Sequence, residues 1–154
     1  MPPFADPPET PDSPAGLQQF IVPDFWQQQA VSALRAGKDV IIHAPTGAGK
    51  TNVALLCMLN QLSQHMREDG TFDLNAFKIV YVAPMKALVQ ENVLSFGKKL
   101  APYGVTVREL SGDQNLTGQQ VQETHVIVTT PEKWDIVTRK AGDRAYTQLV
   151  RLMI

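Results

Sequence analysis

Cysteine is nearly absent: Cys57 is the only one in 154 residues, so no internal disulfide can staple the chain. It sits in the apolar run Val53-Ala-Leu-Leu-Cys-Met-Leu59, where a buried packing residue in a reducing compartment is expected. Long apolar runs are missing too. None approaches the roughly 20 residues that a bilayer crossing needs, and the N-terminus lacks a basic region followed by an apolar core. A soluble, intracellular protein without membrane partners is expected. Lys and Arg are missing from residues 1–34, which hold Asp6, Glu9, Asp12 and Asp24. All 14 basic groups therefore fall after that segment, and the net charge of −1 excludes a polybasic binder while leaving room for nucleic acid. His43, His65 and His125 are scattered without ligand spacing, so no metal site is assigned to them.

What is present describes one globular domain. Hydrophobic residues make up 44% and charged residues 19%, which excludes a collagen-like or wholly disordered chain. Six prolines (Pro2, Pro3, Pro7, Pro8, Pro11 and Pro14) crowd in before Gly16, so residues 1–16 are expected to be a disordered, acidic tail ahead of a domain spanning 17–154. Helical spacing over Phe25–Ala36 stops at Gly37, and Asp39–Ala44 reads as a strand covered on both faces. Helices follow over about 50–66 and 86–100, with strands at Lys78–Ala83, Val105–Glu109, His125–Thr130 and Leu149–Ile154. Pro131 is placed to open another helix. This alternation predicts an α/β fold, a parallel sheet with helices on both faces.

The most informative residues are Ala44, Pro45, Thr46, Gly47, Ala48, Gly49, Lys50 and Thr51, at a strand-to-helix junction. Glycines there let successive amide N–H groups converge on phosphate oxygens, and a helix N-terminus adds its positive end. Lys50 would reach the β- and γ-phosphates and the Thr51 hydroxyl would ligate Mg²⁺. ATP and Mg²⁺ are the expected cofactors, with Lys50 and Thr51 the catalytic candidates. Gln27, upstream, has an amide suited to the edge of adenine, although Gln28 or Gln29 could serve instead. The alternative is a solvated helix glutamine. Leu110-Ser-Gly-Asp-Gln114 departs from the transporter signature at Asp113, and no N-K-x-D guanine motif exists. An unrelated phosphate-loop kinase stays open on this loop alone.

The loop, Tyr81-Val-Ala-Pro-Met-Lys-Ala-Leu-Val-Gln90, Ser111-Gly-Asp113 and Thr129-Thr-Pro-Glu-Lys-Trp-Asp135 occur in order. Together they resemble superfamily-2 DExH-box RNA helicases, in which the A-P-T-G-A-G-K-T form of the loop is usual. Residues 51–154 are similar to the N-terminal cassette of the tandem-cassette spliceosomal helicases. Residues 17–43 resemble the opening of DEAD/DEAH helicases in general, which leaves a divergent gene and a hybrid both open. The resemblance implies a RecA-like first lobe, nuclear localisation, a role in pre-mRNA splicing with spliceosomal partners, and single-stranded or duplex RNA as substrate. It also implies RNA contacts from Pro84, Met85, Lys86, Thr130, Pro131 and Glu132, for which ordinary helix capping is the alternative. Trp134 is expected in the core. The chain reaches Ile154 without a D-E-x-H box or a second RecA-like lobe, so an incomplete lobe is expected, inactive in hydrolysis by itself. A noncatalytic nucleotide- or RNA-binding interaction fragment is the rival reading.

Overall fold

The computed structural model describes residues 24–45, 47, 49–111, 116–139 and 147–154. The expected tail, Thr46 and Ala48 of the loop, and Asp113 lie outside them. Helix α1 (Phe25–Arg35) starts at Asp24, whose side chain and that of Gln27 cap each other's backbone, and Gly37 at φ +73° ends the turn that follows it. Helix α2 (Lys50–Ser63) starts at Gly49, in the left-handed conformation at φ 91°. Strand β1 (Lys78–Val82), helix α3 (Lys86–Leu100), strand β2 (Val107–Leu110), helix α4 (Gly118–Glu123), strand β3 (Val126–Thr129), helix α5 (Pro131–Arg139) and strand β4 (Val150–Met153) complete the order.

The four strands form one sheet in the order β2-β3-β1-β4, all parallel. Successive side chains of a strand face opposite ways, so both faces need cover. Ile79, Val126 and Val128 point to one face, where Met58 and Leu62 of α2 and Val89, Phe96 and Leu100 of α3 bury them. Ile127 points to the other, under Val121 of α4 and Trp134 and Val137 of α5. Trp134 is thus core-facing. Phe96 is fully buried and meets Tyr81 edge-on, ring centroids 5.1 Å apart. Burying each such side chain is worth about 1.5–3 kcal/mol.

One expected element differs. Asp39–Ala44 forms no strand, and no ladder reaches it. Val40 and Ile42 pack with Ala30, Val53 and Cys57 and with Leu152 and Ile154, while Ile41 is 98% exposed. A doubly covered strand needs a helix over each face, and among the described residues only the α1–α2 side supplies one. A cavity of about 670 Å³ lies between this segment and β4, lined by Val40, Ile42, Arg151, Leu152 and Met153. Burial still alternates along the segment as it would in a strand, without the hydrogen bonds of one.

Cys57 is buried, and burial pushes its thiol pKa up, which suits packing rather than reactivity. No described helix is long and apolar enough to cross a membrane.

Candidate nucleotide and nucleic-acid site

A parallel sheet delivers every strand to the same edge, and here that edge collects the expected site residues. Val82 pairs with Thr129, and Thr129 with Leu110. The residues that follow, Ala83-Pro84, Thr130 and Ser111, therefore emerge side by side.

The phosphate loop lies beyond β4. Gly47 and Gly49 both hold positive φ, at 82° and 91°, a region that side chains disfavour. No side chain caps the N-terminus of α2. Its first amide N–H groups have no partner within the helix, the arrangement that suits an anion at a helix N-terminus. They border a cleft of about 300 Å³ lined by Gly47, Gly49, Lys50, Thr51 and Asn52. Lys50 and Thr51 are exposed, and Lys50 also borders the larger cavity near Tyr81 and Ile154. The cleft suits a polyphosphate. Among the described residues no cluster of His, Cys, Asp or Glu could hold a metal, so Mg²⁺ would arrive on the phosphates and take the Thr51 hydroxyl, as this ion prefers.

Gln27 is brought to this loop. It is 4% exposed, whereas Gln28 and Gln29 are exposed. Its Oε1 accepts the Asp24 N–H at 2.9 Å and its Nε2 donates to the Gly49 carbonyl at 3.1 Å.

On the other flank, Pro84, Met85 and Lys86 are exposed, and Met85 begins α3 with no side-chain cap. Pro131 and Glu132 are exposed in the first turn of α5. Thr130 accepts the Lys133 N–H at 3.4 Å on its hydroxyl, which is the ordinary capping role that was the alternative to an RNA contact. Thr129 below it donates to the Leu110 carbonyl at 2.6 Å and ties β3 to β2. Ser111, 1% exposed, has a buried hydroxyl with no partner among the described residues, and in the sequence it stands out only by its place in Ser111-Gly-Asp113.

The opposite edge carries chemistry that the sequence did not announce. The Lys78 ammonium, buried, donates to the carbonyls of Val121 at 2.7 Å, Gln122 at 3.3 Å and Thr124 at 2.6 Å, closing the C-terminus of α4. Burial holds its pKa below the ordinary value. His125 accepts the Thr106 N–H on Nδ1 at 2.8 Å. Burial first and the Lys78 charge second lower its pKa. A strand-initial Lys in an apolar run is the only signal that could have pointed there.

The DEAD/DEAH box helicase family matches residues 25–154, through both flanks of this edge. The chain belongs to that family. The helicase match begins at α1, so residues 25–43 of the opening segment and the cassette-like remainder are covered by one family. The chain is 61% identical over 122 residues to the pre-mRNA-splicing factor brr2 of Schizosaccharomyces pombe, covering 79% of this chain and 6% of that protein. It is 58% identical over 123 residues to the human U5 small nuclear ribonucleoprotein 200 kDa helicase, covering 80% and 6%. Identity is 63% over 123 residues with the DExH-box ATP-dependent RNA helicase DExH13 of Arabidopsis thaliana, again 80% and 6%. The chain spans about 6% of the length of each of these relatives.

Proposed function

We propose that this chain is the ATP-binding lobe of an ATP-dependent RNA helicase acting in pre-mRNA splicing, in the nucleus and with spliceosomal partners. The observation that carries it is the pairing, on one sheet edge, of an uncapped α2 N-terminus over a phosphate-sized cleft with the exposed first turns of α3 and α5. ATP and Mg²⁺ occupy the first. Gln27, Ala44, Pro45, Thr46, Gly47, Ala48, Gly49, Lys50 and Thr51 form that site, with Lys50 on the terminal phosphates and Thr51 on the metal. Single-stranded RNA takes the second, through Pro84, Met85, Lys86, Thr130, Pro131 and Glu132. Helix N–H groups there grip phosphates without reading bases, so binding is sequence-tolerant. The names of the relatives support splicing, and family membership removes the support for a kinase.

Titration calorimetry tests the reading. Lys50→Ala removes the one cation that lines the small cleft among the described residues and is expected to weaken Mg-ATP binding by about a hundredfold. Thr51→Ala is expected to reduce the Mg²⁺ dependence instead. Equal affinity for wild type and Lys50→Ala would sink the assignment.

A further inference from the structure

The segment 39–44 and strand β4 face one another across the cavity of about 670 Å³. Among the described residues, no backbone group of Val40, Ile41, Ile42 or His43 has a backbone partner. Strand β4 is the edge of the sheet, and Ile154 directs its N–H to Val80 and its carbonyl to Val82, both in β1. Met153, one residue earlier, therefore aims its own N–H and carbonyl toward the cavity. Two walls of unpaired donors and acceptors at strand spacing are complementary to an extended backbone. A small apolar molecule would fill the volume and leave those groups bare. The floor is apolar, made by Val53 and Cys57 of α2, so the occupant presents apolar side chains at alternate positions. The rim carries Lys38, Lys50 and Arg151 against Asp39 alone, which favours an acidic occupant. Strands β1, β2 and β4 each hold a cation in their first two residues (Lys78, Arg108 and Arg151), so a second copy of this chain would bring like charge to that rim.

We propose that this slot is a strand-addition site, occupied by an extended segment of a different polypeptide that is apolar at alternate positions and acidic at its flank. Backbone hydrogen bonds to both walls supply the affinity, and the floor and the basic rim select the sequence. The site goes beyond the nucleotide reading and does not depend on it.

Fluorescence anisotropy and deuterium exchange on the full 154-residue chain, without nucleotide, test it. The probe is a labelled synthetic peptide of alternating valine and threonine preceded by a pair of glutamates, its alternating part spanning about 20 Å when extended. It is expected to bind and to slow exchange at the amides of residues 40–43 while leaving α3 unaffected. N-methylation of alternate amides deletes the donors along one edge and keeps every side chain, and it is expected to weaken binding by about tenfold. Arg151→Glu, at an exposed side chain, should weaken binding by about fivefold and strengthen that of the same peptide with lysines in place of the glutamates. Binding that survives N-methylation would overturn the strand and leave only an apolar cavity. A peptide that does not slow exchange at 40–43 would overturn it as well. So would slow exchange there in the chain alone: protection that rises with protein concentration assigns the slot to a second copy, and protection at every concentration assigns it to this chain's own residues.

Discussion

His125 is a single side chain with a measurable signature. Burial first and the Lys78 charge second favour its neutral form and hold its pKa below the ordinary value, and its Nδ1 is already the acceptor for Thr106 N–H. In the unfolded chain it protonates around the ordinary 6.5. Because the folded pKa is lower, the unfolded state binds more protons as pH falls below that value, and stability drops with it. Above it the ring is neutral in both states and the contribution is complete. Urea unfolding between about pH 5 and 7 should show this slope, and His125→Gln, whose amide oxygen can accept from Thr106 without titrating, should flatten it. An unchanged slope would assign the acid sensitivity elsewhere. At this scale the sequence spoke clearly where chemistry demands a residue type, as at Gly47 and Gly49 with their positive φ. It was silent among Gln27, Gln28 and Gln29, which are chemically identical. Only the phase of α1, which turns Gln27 inward and leaves its neighbours exposed, separates them.

Among the elements, α3 was legible from end to end, since its apolar positions repeat at helical spacing and Pro102 and Gly104 mark its exit. Helix α4 was not. It is six residues of Gly118-Gln-Gln-Val-Gln-Glu123, with one apolar side chain and therefore no period to detect. It exists because Thr117 and Gln120 form a capping box at one end and Lys78, some 43 residues away in sequence, closes the other. Lys78→Met should therefore act on an element to which it does not belong. Leaving the Val121, Gln122 and Thr124 carbonyls without their donor is expected to cost about 1–3 kcal/mol. Amide exchange should rise first at α4, ahead of β1, where Lys78 itself sits. Uniform acceleration across the sheet would show that the ammonium supports the core rather than the helix. The segment 39–44 misled for the converse reason: its apolar residues suggest two covered faces, but cover is a property of neighbours, which periodicity does not record.

Taken as one molecule, the chain places the proposed nucleotide and RNA contacts on one edge and its structural lysine on the other, an arrangement that follows from parallel strands alone. Hydrolysis asks more than this edge provides. Beyond a placed nucleotide it requires a carboxylate-held Mg²⁺, an oriented water and a cation that stabilises the transition state, the last worth on the order of 10³–10⁵ in rate. The 154 residues contain no D-E-x-H tetrad. Purified residues 1–154 are therefore expected to turn over ATP no faster than their Lys50→Ala variant, with or without RNA. RNA-stimulated turnover that vanishes in Lys50→Ala would refute this. The unladdered stretch before the phosphate loop has a consequence in time. Amides in β3, laddered on both sides, exchange with deuterium only when the whole domain opens, whereas those of residues 40–44 belong to no ladder and should exchange in brief local openings. That stretch is the covalent arm of the loop, so a nucleotide seated at Gly47–Thr51 should slow its labelling while leaving β3 unaffected. This unladdered backbone beside the cleft thus becomes a clock for occupancy, readable without any turnover.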